Sequence, residues 1–315
     1  MLKSAFLIVA ALCLASSAYA ATASKDVDIV ITHAGGTILP APPSGFHWIQ
    51  TFGDDFNTTF PNSGTSTGPV TLDTSMWTVD HFCGGGNFTS YTSPTWGCGT
   101  ANTASDTAGG NLLTMTVQSN TPATRNIINT YRNAGCIAGA CGYIPTNPFV
   151  QRYGYFVYNA KVPTCIGGEI DLEAFARDVW LNGQSGAYGE FGLVSATGGT
   201  CNISHLRAYE GSGTVASHGF TFLPNPDLGV DLSQAFHQYG LLWVNDGSPH
   251  GSVHVYFDGT DVTGAYQLQS PAWDNGLYFD VYWSPCPGSE GGSCGSTTGT
   301  MQFDFVRAYQ LVPTP

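Results

Sequence analysis

The sequence predicts an all-β protein, a sandwich of two packed antiparallel sheets. Helical periodicity is almost absent, whereas short segments of alternating apolar and polar residues recur along the chain, each bounded by Gly, Pro, Asn or Asp. Their number and spacing are typical of a sandwich. The segments that carry this pattern are 111–118, 153–162, 191–196, 239–244, 253–257, 277–283 and 301–309.

The beginning of the chain predicts secretion. Lys3 is followed by an apolar run over 5–15 and by Ala18-Tyr19-Ala20, which together have the form of a cleavable signal peptide over residues 1–20. No later run approaches the roughly 18 apolar residues that cross a bilayer, so we expect an extracellular protein without a membrane partner. Residues 21–45, with a strand-like patch at 27–32, are predicted to form an N-terminal leader.

Residues 46–312 are predicted to form one domain, because no break in composition divides them and their length suits a single all-β domain. Asp258-Gly259, directly after an alternating segment, is a signal for a two-residue hairpin turn.

The charge and composition narrow the range of partners. The net charge is −13 and no run of Lys or Arg occurs, so nucleic acid and anionic membranes are poor partners. Only 10% of the residues are charged and 13% are aromatic, a surface that suits neutral carbohydrate, since sugars stack on aromatic rings and bind uncharged polar groups. An ordinary secreted β-protein without a ligand fits the composition equally well.

The cysteines favour disulfide bonds. The chain has nine cysteines, and eight remain once Cys13 leaves with the signal peptide, an even number in an oxidising compartment. Proximity in sequence suggests the pairs Cys83–Cys98, Cys136–Cys141, Cys165–Cys201 and Cys286–Cys294. Glycosylation sequons begin at Asn57, Asn87 and Asn202.

The most informative segment is EIDLE at 169–173. In a β-strand, Glu169, Asp171 and Glu173 share one face, and the apolar residues between them share the other. Only five glutamates occur in the chain, so two of them here are a notable concentration. Like charges on one face cost some tenths to about 1 kcal/mol per pair, which favours a catalytic function, as in glycoside hydrolysis. A solvated edge strand and a calcium site are the alternatives.

The spacing of these acids leaves the stereochemical course open. Cα atoms four residues apart on a flat strand are separated by roughly 13 Å. A retaining glycosidase holds its two carboxyl groups about 5 to 5.5 Å apart, and an inverting one roughly 6.5 to 9.5 Å apart. Asp171 is expected to raise the pKa of at least one neighbouring carboxyl group, so that one acid stays protonated while another is ionised.

The segment EIDLE also resembles the E-I-D-x-E signature of glycoside hydrolase family 16, and further stretches are similar to landmarks of that family in the same order. They are FGDDF at 52–56 with Leu72-Asp73 and Trp77, GNL at 110–112, GYI at 142–144, YGYF at 153–156, FHQYG at 236–240 with Trp243, YFDG at 256–259 and FDFVR at 303–307.

This resemblance implies a jelly-roll sandwich of the concanavalin A type with a concave cleft, and a retaining reaction. It implies that Glu169 is the nucleophile, that Glu173 is the acid/base, and that Asp171 orients Glu169. Family members usually have a further cleft-lining segment before the catalytic strand, whereas here VPTCIGG at 162–168 leads directly into Glu169. The difference is expected to alter the subsites on one side.

Aromatic residues are candidate sugar platforms, and we predict substrate-binding roles for Trp283, Trp96, Trp243 and His237, with Trp180 and Tyr282 as further candidates. A place in the core is the alternative for each tryptophan, and a structural hydrogen bond is the alternative for His237. Trp283 alternates with Phe279 and Val281, so it lies in the core or on the cleft floor according to which way that face points.

The sequence therefore predicts a secreted, monomeric, retaining endo-β-glycosidase that hydrolyses a neutral β-glucan type of polysaccharide. A cell-wall transglycosylase of the same fold and a catalytically silent carbohydrate-binding sandwich are the alternatives. No cofactor is expected, although a structural calcium ion would be compatible with such a sandwich.

Overall fold

The alternating segments form the strands of two antiparallel sheets, which confirms the predicted all-β fold. A computed structural model describes residues 36–60, 71–73, 75–82, 103–119, 125–130, 147–163, 169–175, 187–195, 206, 208–214, 217–224, 227–283 and 297–315. Its strands are β1 (Phe46–Asp54), β2 (Thr78–Phe82), β3 (Thr103–Ala108), β4 (Leu113–Ser119), β5 (Arg125–Asn129), β6 (Gly154–Lys161), β7 (Glu169–Phe175), β8 (Ala187–Ser195), β9 (Tyr209–Thr214), β10 (Ser217–Phe222), β11 (His237–Val244), β12 (Ser252–Phe257), β13 (Thr260–Asp261), β14 (Tyr266–Gln267), β15 (Tyr278–Trp283) and β16 (Thr297–Pro313).

The first sheet, sheet A, has nine strands in the order β13-β12-β11-β6-β16-β4-β3, with β1 paired to β16 and β14 paired to β12. The second, sheet B, has seven strands in the order β10-β9-β8-β7-β15-β5-β2. Strand β7, which carries the EIDLE segment, is therefore the central strand of sheet B, with β8 on one side and β15 on the other.

The main core lies between the two sheets. Phe156 and Tyr158 of β6 belong to it together with Phe191 of β8 and Phe279 of β15. The ring of Tyr158 meets the ring of Phe279 edge-on, with 5.0 Å between centroids. Each of these four side chains is fully buried, so the facing sides of the sheets form one continuous apolar layer.

A second apolar cluster lies on the outer side of sheet A. Tyr155 and Val157 of β6, which alternate with the core residues, pack there with Phe305 and Tyr309 of β16. This arrangement explains why β6 is buried along both faces. The cluster is covered by Leu39 and Trp48.

The residues that cover this cluster belong to the N-terminal segment 36–48. The Nε1 of Trp48 donates to the carbonyl of Pro40 at 2.7 Å. Gln238 of β11 accepts from the backbone nitrogen of Ile38 at 2.8 Å and donates to the carbonyl of Gly36 at 3.1 Å. The end of the predicted leader thus packs on sheet A.

The predicted hairpin turn at Asp258-Gly259 is present. Phe257 pairs with Thr260 across it, and both turn residues have positive φ, 46° for Asp258 and 79° for Gly259. Two consecutive positive φ angles are what a two-residue turn between antiparallel strands requires.

All described residues lie within one compact unit, Ile31–Pro315, and the other unit, Met1–Val30, lies outside them. The predicted signal peptide, the patch at 27–32, the sequons at Asn87 and Asn202 and all the cysteines also fall outside the described residues. In the part of the chain that the structure describes, no helix has the length and apolarity needed to cross a membrane.

Candidate active site

The strand register fixes which side of sheet B the three acids of β7 occupy. Position 170 pairs with Val281, and position 172 pairs with Phe279 and Phe191. These three partners are buried in the main core. Because directly opposed residues lie on the same side of a sheet, positions 170 and 172 are on the core side. Glu169, Asp171 and Glu173 therefore occupy the outer side of sheet B.

Two further acids face this triplet across the neighbouring strands. Glu190 of β8 lies opposite Glu173, and Asp280 of β15 lies opposite Asp171. Glu190 is 8% exposed and Asp280 is 1% exposed. Three adjacent strands thus carry five acidic positions on one side of the sheet.

The sequence analysis missed Glu190 and Asp280. Neither residue has a local motif, since each comes opposite the triplet only through pairing between strands that are distant in sequence. The alternation of Asp280 with the apolar residues of 277–283 is the one signal that could have placed it on the outer side.

A tyrosine holds the side chain of Glu190. The hydroxyl of Tyr209, on β9, donates a hydrogen bond to the Glu190 carboxylate. The tyrosine ring lies directly over Gly192, where an added Cβ would overlap the ring atoms. Gly192 is the residue of β8 that pairs with both Asp171 and Tyr209, so the absence of a side chain there lets the tyrosine approach the acid row.

A second tyrosine connects the other sheet to Asp280. The hydroxyl of Tyr158, on β6, accepts from the backbone nitrogen of Asp280 at 3.1 Å and donates to its carbonyl at 3.0 Å. Tyr158 is fully buried. Sheet A therefore holds the backbone of sheet B directly beneath the pair formed by Asp171 and Asp280.

Glu210, the next glutamate along the chain, has a structural environment. It pairs with Phe191 and so lies on the core side. Its carboxylate accepts from four donors: Trp273 Nε1 at 2.6 Å, the Tyr266 hydroxyl at 2.8 Å, and the backbone nitrogens of Gln269 at 2.8 Å and Ser270 at 3.1 Å. Burial, and then the charge of Glu210, raise the pKa of Tyr266. Four donors satisfy this buried carboxylate.

Trp243 and His237, both predicted to bind substrate, lie on β11 in sheet A and not on sheet B. Trp243 is 1% exposed within the main core, and its Nε1 donates to the carbonyl of His250 at 2.8 Å. His237 Nδ1 is 2.8 Å from Asp258 Oδ2, and its ring stacks on Phe257 at 4.9 Å. These placements favour the alternatives that the sequence left open, a core tryptophan and a hydrogen-bonded structural histidine.

Trp283 lies at the end of β15, where the register resolves which way its face points. Phe279 and Val281 are buried in the core, so position 283, which alternates with them, is on the core side of the strand. Position 282 is on the outer side, opposite Glu169. Trp96 and Trp180 lie outside the described residues.

Within the described ranges, no three side chains of His, Cys, Asp and Glu are grouped so as to hold a metal ion.

No family model and no curated protein matches this sequence. Several solved structures resemble the chain in three dimensions. A GlcNAcα1-4Gal releasing endo-β-galactosidase from Clostridium perfringens matches with a TM-score of 0.55 and 14% identity, over 89% of this chain and 66% of that one. The catalytic domain of an endo-1,3-β-glucanase (laminarinase) from Thermotoga petrophila RKU-1 matches with a TM-score of 0.52 and 15% identity, over 84% of this chain and 98% of that domain. The chain shares their fold.

The same fold occurs in the β-porphyranase BpGH16B from the human gut bacterium Bacteroides plebeius, which matches with a TM-score of 0.51 and 15% identity, over 88% of this chain and 96% of that one. These likenesses confirm the predicted jelly-roll sandwich.

Proposed function

We propose that this protein is a secreted endo-acting β-glycosidase that hydrolyses a neutral polysaccharide of the β-glucan type with retention of configuration. The observation that carries the proposal is the row of acidic positions on the outer side of the central strand of sheet B. Paired carboxyl groups are the common machinery of glycoside hydrolysis, and the solved structures that share the fold include an endo-β-galactosidase and a laminarinase.

The roles of the three acids are those that the resemblance to glycoside hydrolase family 16 implies. Glu169 attacks the anomeric carbon and forms a covalent glycosyl intermediate. Glu173 protonates the departing glycosidic oxygen, and it then removes a proton from the water that releases the sugar. Asp171, between them, orients Glu169. Each proton that Glu173 gives in the first step is recovered in the second, so the enzyme ends in its starting state.

The register supplies a physical reason for Glu173 to begin the cycle as an acid. Glu190 lies directly opposite it, and two facing carboxylates repel one another when both are ionised. One of the two is therefore expected to keep its proton. The hydroxyl of Tyr209 already donates to Glu190, which stabilises the ionised form of Glu190 and leaves the proton to Glu173.

The proposed substrate class rests on the net charge of the protein and on the enzymes that share its fold. The net charge of −13 disfavours an anionic polysaccharide, whereas a neutral glycan meets no repulsion from the acid row. The solved structures with this fold are described as an endo-β-galactosidase, an endo-1,3-β-glucanase and a β-porphyranase, so the linkage attacked by this protein is best found with a panel of polysaccharides.

The test measures the release of reducing ends from purified neutral polysaccharides, with Glu169→Gln as the inactive variant. Asp227→Asn, an exposed carboxylate whose one described hydrogen bond is to the backbone of Gly229, is the matched control and is expected to keep full activity. The α/β ratio of the first products, followed by NMR, checks retention. An active Glu169→Gln enzyme or an inverted first product would overturn the assignment.

A labelled oligosaccharide acceptor in the same reaction separates hydrolysis from transglycosylation. Hydrolysis predicts that reducing ends appear faster than label enters long chains. The opposite order would make the protein a transglycosylase, and binding without any cleavage would make it a silent carbohydrate-binding sandwich.

A further inference from the structure

Two phenylalanines are exposed on β10, which lies at the end of the described strand order of sheet B. Phe220 and Phe222 are each 46% exposed. Thr221, between them, pairs with Glu210 on the core side of the sheet. Both phenylalanines therefore lie on the outer side, the same side as the acid row.

The position of Phe220 along its strand matches that of Glu173. The pairing register runs from Glu173 to Glu190, from Glu190 to Gly211 and from Gly211 to Phe220. Neighbouring strands are about 4.8 Å apart, so three steps across the sheet cover roughly 14 Å. At that distance Phe220 cannot contact the sugar at the cleaved bond. It can contact a sugar further along the same polysaccharide.

Phe222 has the same relation to Asp171. The register runs from Asp171 to Gly192, then to Tyr209 and then to Phe222. A chain that crosses the strands of sheet B from the acids towards β10 therefore reaches both phenylalanines. Each row has two intermediate positions, of which one is a glycine, at 192 in this row and at 211 in the other. The second intermediate position carries the side chain of Tyr209 in this row and that of Glu190 in the other.

Both rings pack against the ring of Tyr209, which lies on the same side of the sheet. Tyr209 meets Phe220 edge-on, with 5.1 Å between centroids, and lies 5.6 Å from Phe222. Tyr209 is itself 1% exposed and is hydrogen-bonded to Glu190. Rings fixed before a ligand arrives lose little conformational entropy on binding.

We propose that Phe220 and Phe222 form a remote sugar-binding platform, on which one unit of the polysaccharide stacks while another unit is cleaved at the acid row. This inference rests on the proposed function. The apolar faces of pyranose rings match exposed aromatic rings. The pairing register places both phenylalanines on the same side of sheet B as the acids. A platform at this distance favours long chains over short ones.

The test compares wild type with the Phe220→Thr/Phe222→Thr double variant, since threonine keeps the β-propensity of the strand and removes both rings. Phe46→Thr is the matched control, because Phe46 is 42% exposed at the start of β1 in sheet A. We expect KM for the polysaccharide to rise by about tenfold in the double variant. Phe46→Thr and wild type should have the same KM for the polysaccharide. The value of kcat/KM for a short aryl glycoside should be the same in all three proteins.

Other outcomes overturn the platform. An unchanged KM would remove any binding role, and an equal loss on long and short substrates would assign the rings to the geometry of the acid row. A wild-type dimer in sedimentation velocity that dissociates in the double variant would make β10 a contact between copies.

Direct binding separates failure of this inference from failure of the proposed function. Migration through native gels that contain the polysaccharide reports binding without cleavage. Retardation of wild type but not of the double variant would support the platform even if wild type cleaved nothing. Equal retardation of both proteins, or no retardation of either, would refute it.

Discussion

The outer faces of the two sheets are built on similar antiparallel strands and carry opposite chemistry. On sheet A, Tyr155, Val157 and Phe305 are buried under residues 36–48 of the same chain. On sheet B, the corresponding side carries acidic positions, among them Glu190 and Asp280. A sandwich has two outer faces. The residues at alternate strand positions determine which of these faces is apolar and is covered by another segment of the same chain.

A tyrosine over a glycine occurs on both faces with different results. On sheet A, the ring of Tyr155 lies against Gly240, its hydroxyl has no hydrogen-bond partner among the described residues, and burial raises its pKa. On sheet B, the ring of Tyr209 lies over Gly192 and its hydroxyl donates to Glu190. The first contact fills space, whereas the second also connects to the acid row.

The largest expected effect tests whether the acids of sheet B act chemically. In Glu173→Gln, we expect kcat on the polysaccharide to fall on the order of 10²–10⁴-fold, because the departing oxygen loses its proton donor. An aryl glycoside with an acidic leaving group needs less protonation, so its loss should be much smaller. Steady-state kinetics on the two substrates measure the difference, and equal losses would contradict the acid/base role.

An effect of intermediate size is expected when Gly192 or Gly240 is replaced by alanine. In both Gly192→Ala and Gly240→Ala, the new Cβ overlaps a tyrosine ring, and overpacking of this kind typically costs about 1–3 kcal/mol. Urea unfolding should show a similar loss in both variants. Activity should fall only in Gly192→Ala, since only there does the displaced tyrosine contact the acid row.

The control for the glycine pair is the activity of each variant well below its unfolding transition. A Gly240→Ala enzyme that is as impaired as Gly192→Ala would show that the two faces are not independent.

The smallest effect concerns Asp54 at the end of β1, a carboxylate of sheet A. Burial raises its pKa, and the hydrogen bonds from the Phe56 nitrogen and Trp77 Nε1, both 2.8 Å, act in the opposite direction. Because the folded state holds this proton more tightly than the unfolded chain, its contribution to stability is complete below the unfolded pKa and is lost as pH rises through the folded pKa.

The measurement is the free energy of unfolding of wild type and Asp54→Asn at a series of pH values from acidic to neutral. The free energy of unfolding of wild type should fall relative to that of Asp54→Asn as pH rises from about 4, the ordinary pKa of aspartate. A wild type that becomes more stable relative to Asp54→Asn over that pH range would contradict a raised pKa for Asp54.

Much of the fold was predictable because alternation is a local property. The segments that became β4, β6, β11, β12 and β15 could be seen as strands, and Asp258-Gly259 could be seen as their turn. Strand β9, with the sequence YEGSGT, was not singled out, because its glycines and serine have low β-propensity. Its pairing with β8 and β10 supplies what its composition lacks.

The site was predictable only along its own strand. EIDLE places Glu169, Asp171 and Glu173 on one face by local periodicity. The partners Glu190 and Asp280 depend on register between strands that are distant in sequence, which no local pattern records. The same limit applied to Trp283, because alternation shows that residues share a face and only packing decides which face is inside.

The buried carboxylate of Glu210 has a consequence for the order of assembly. Its four donors lie 56, 59, 60 and 63 residues further along the chain. Bringing such distant groups together is slow, because the intervening loop must close before the contacts form. During synthesis the β9–β10 hairpin, which bears the exposed phenylalanines, cannot acquire this anchor until Trp273 has left the ribosome.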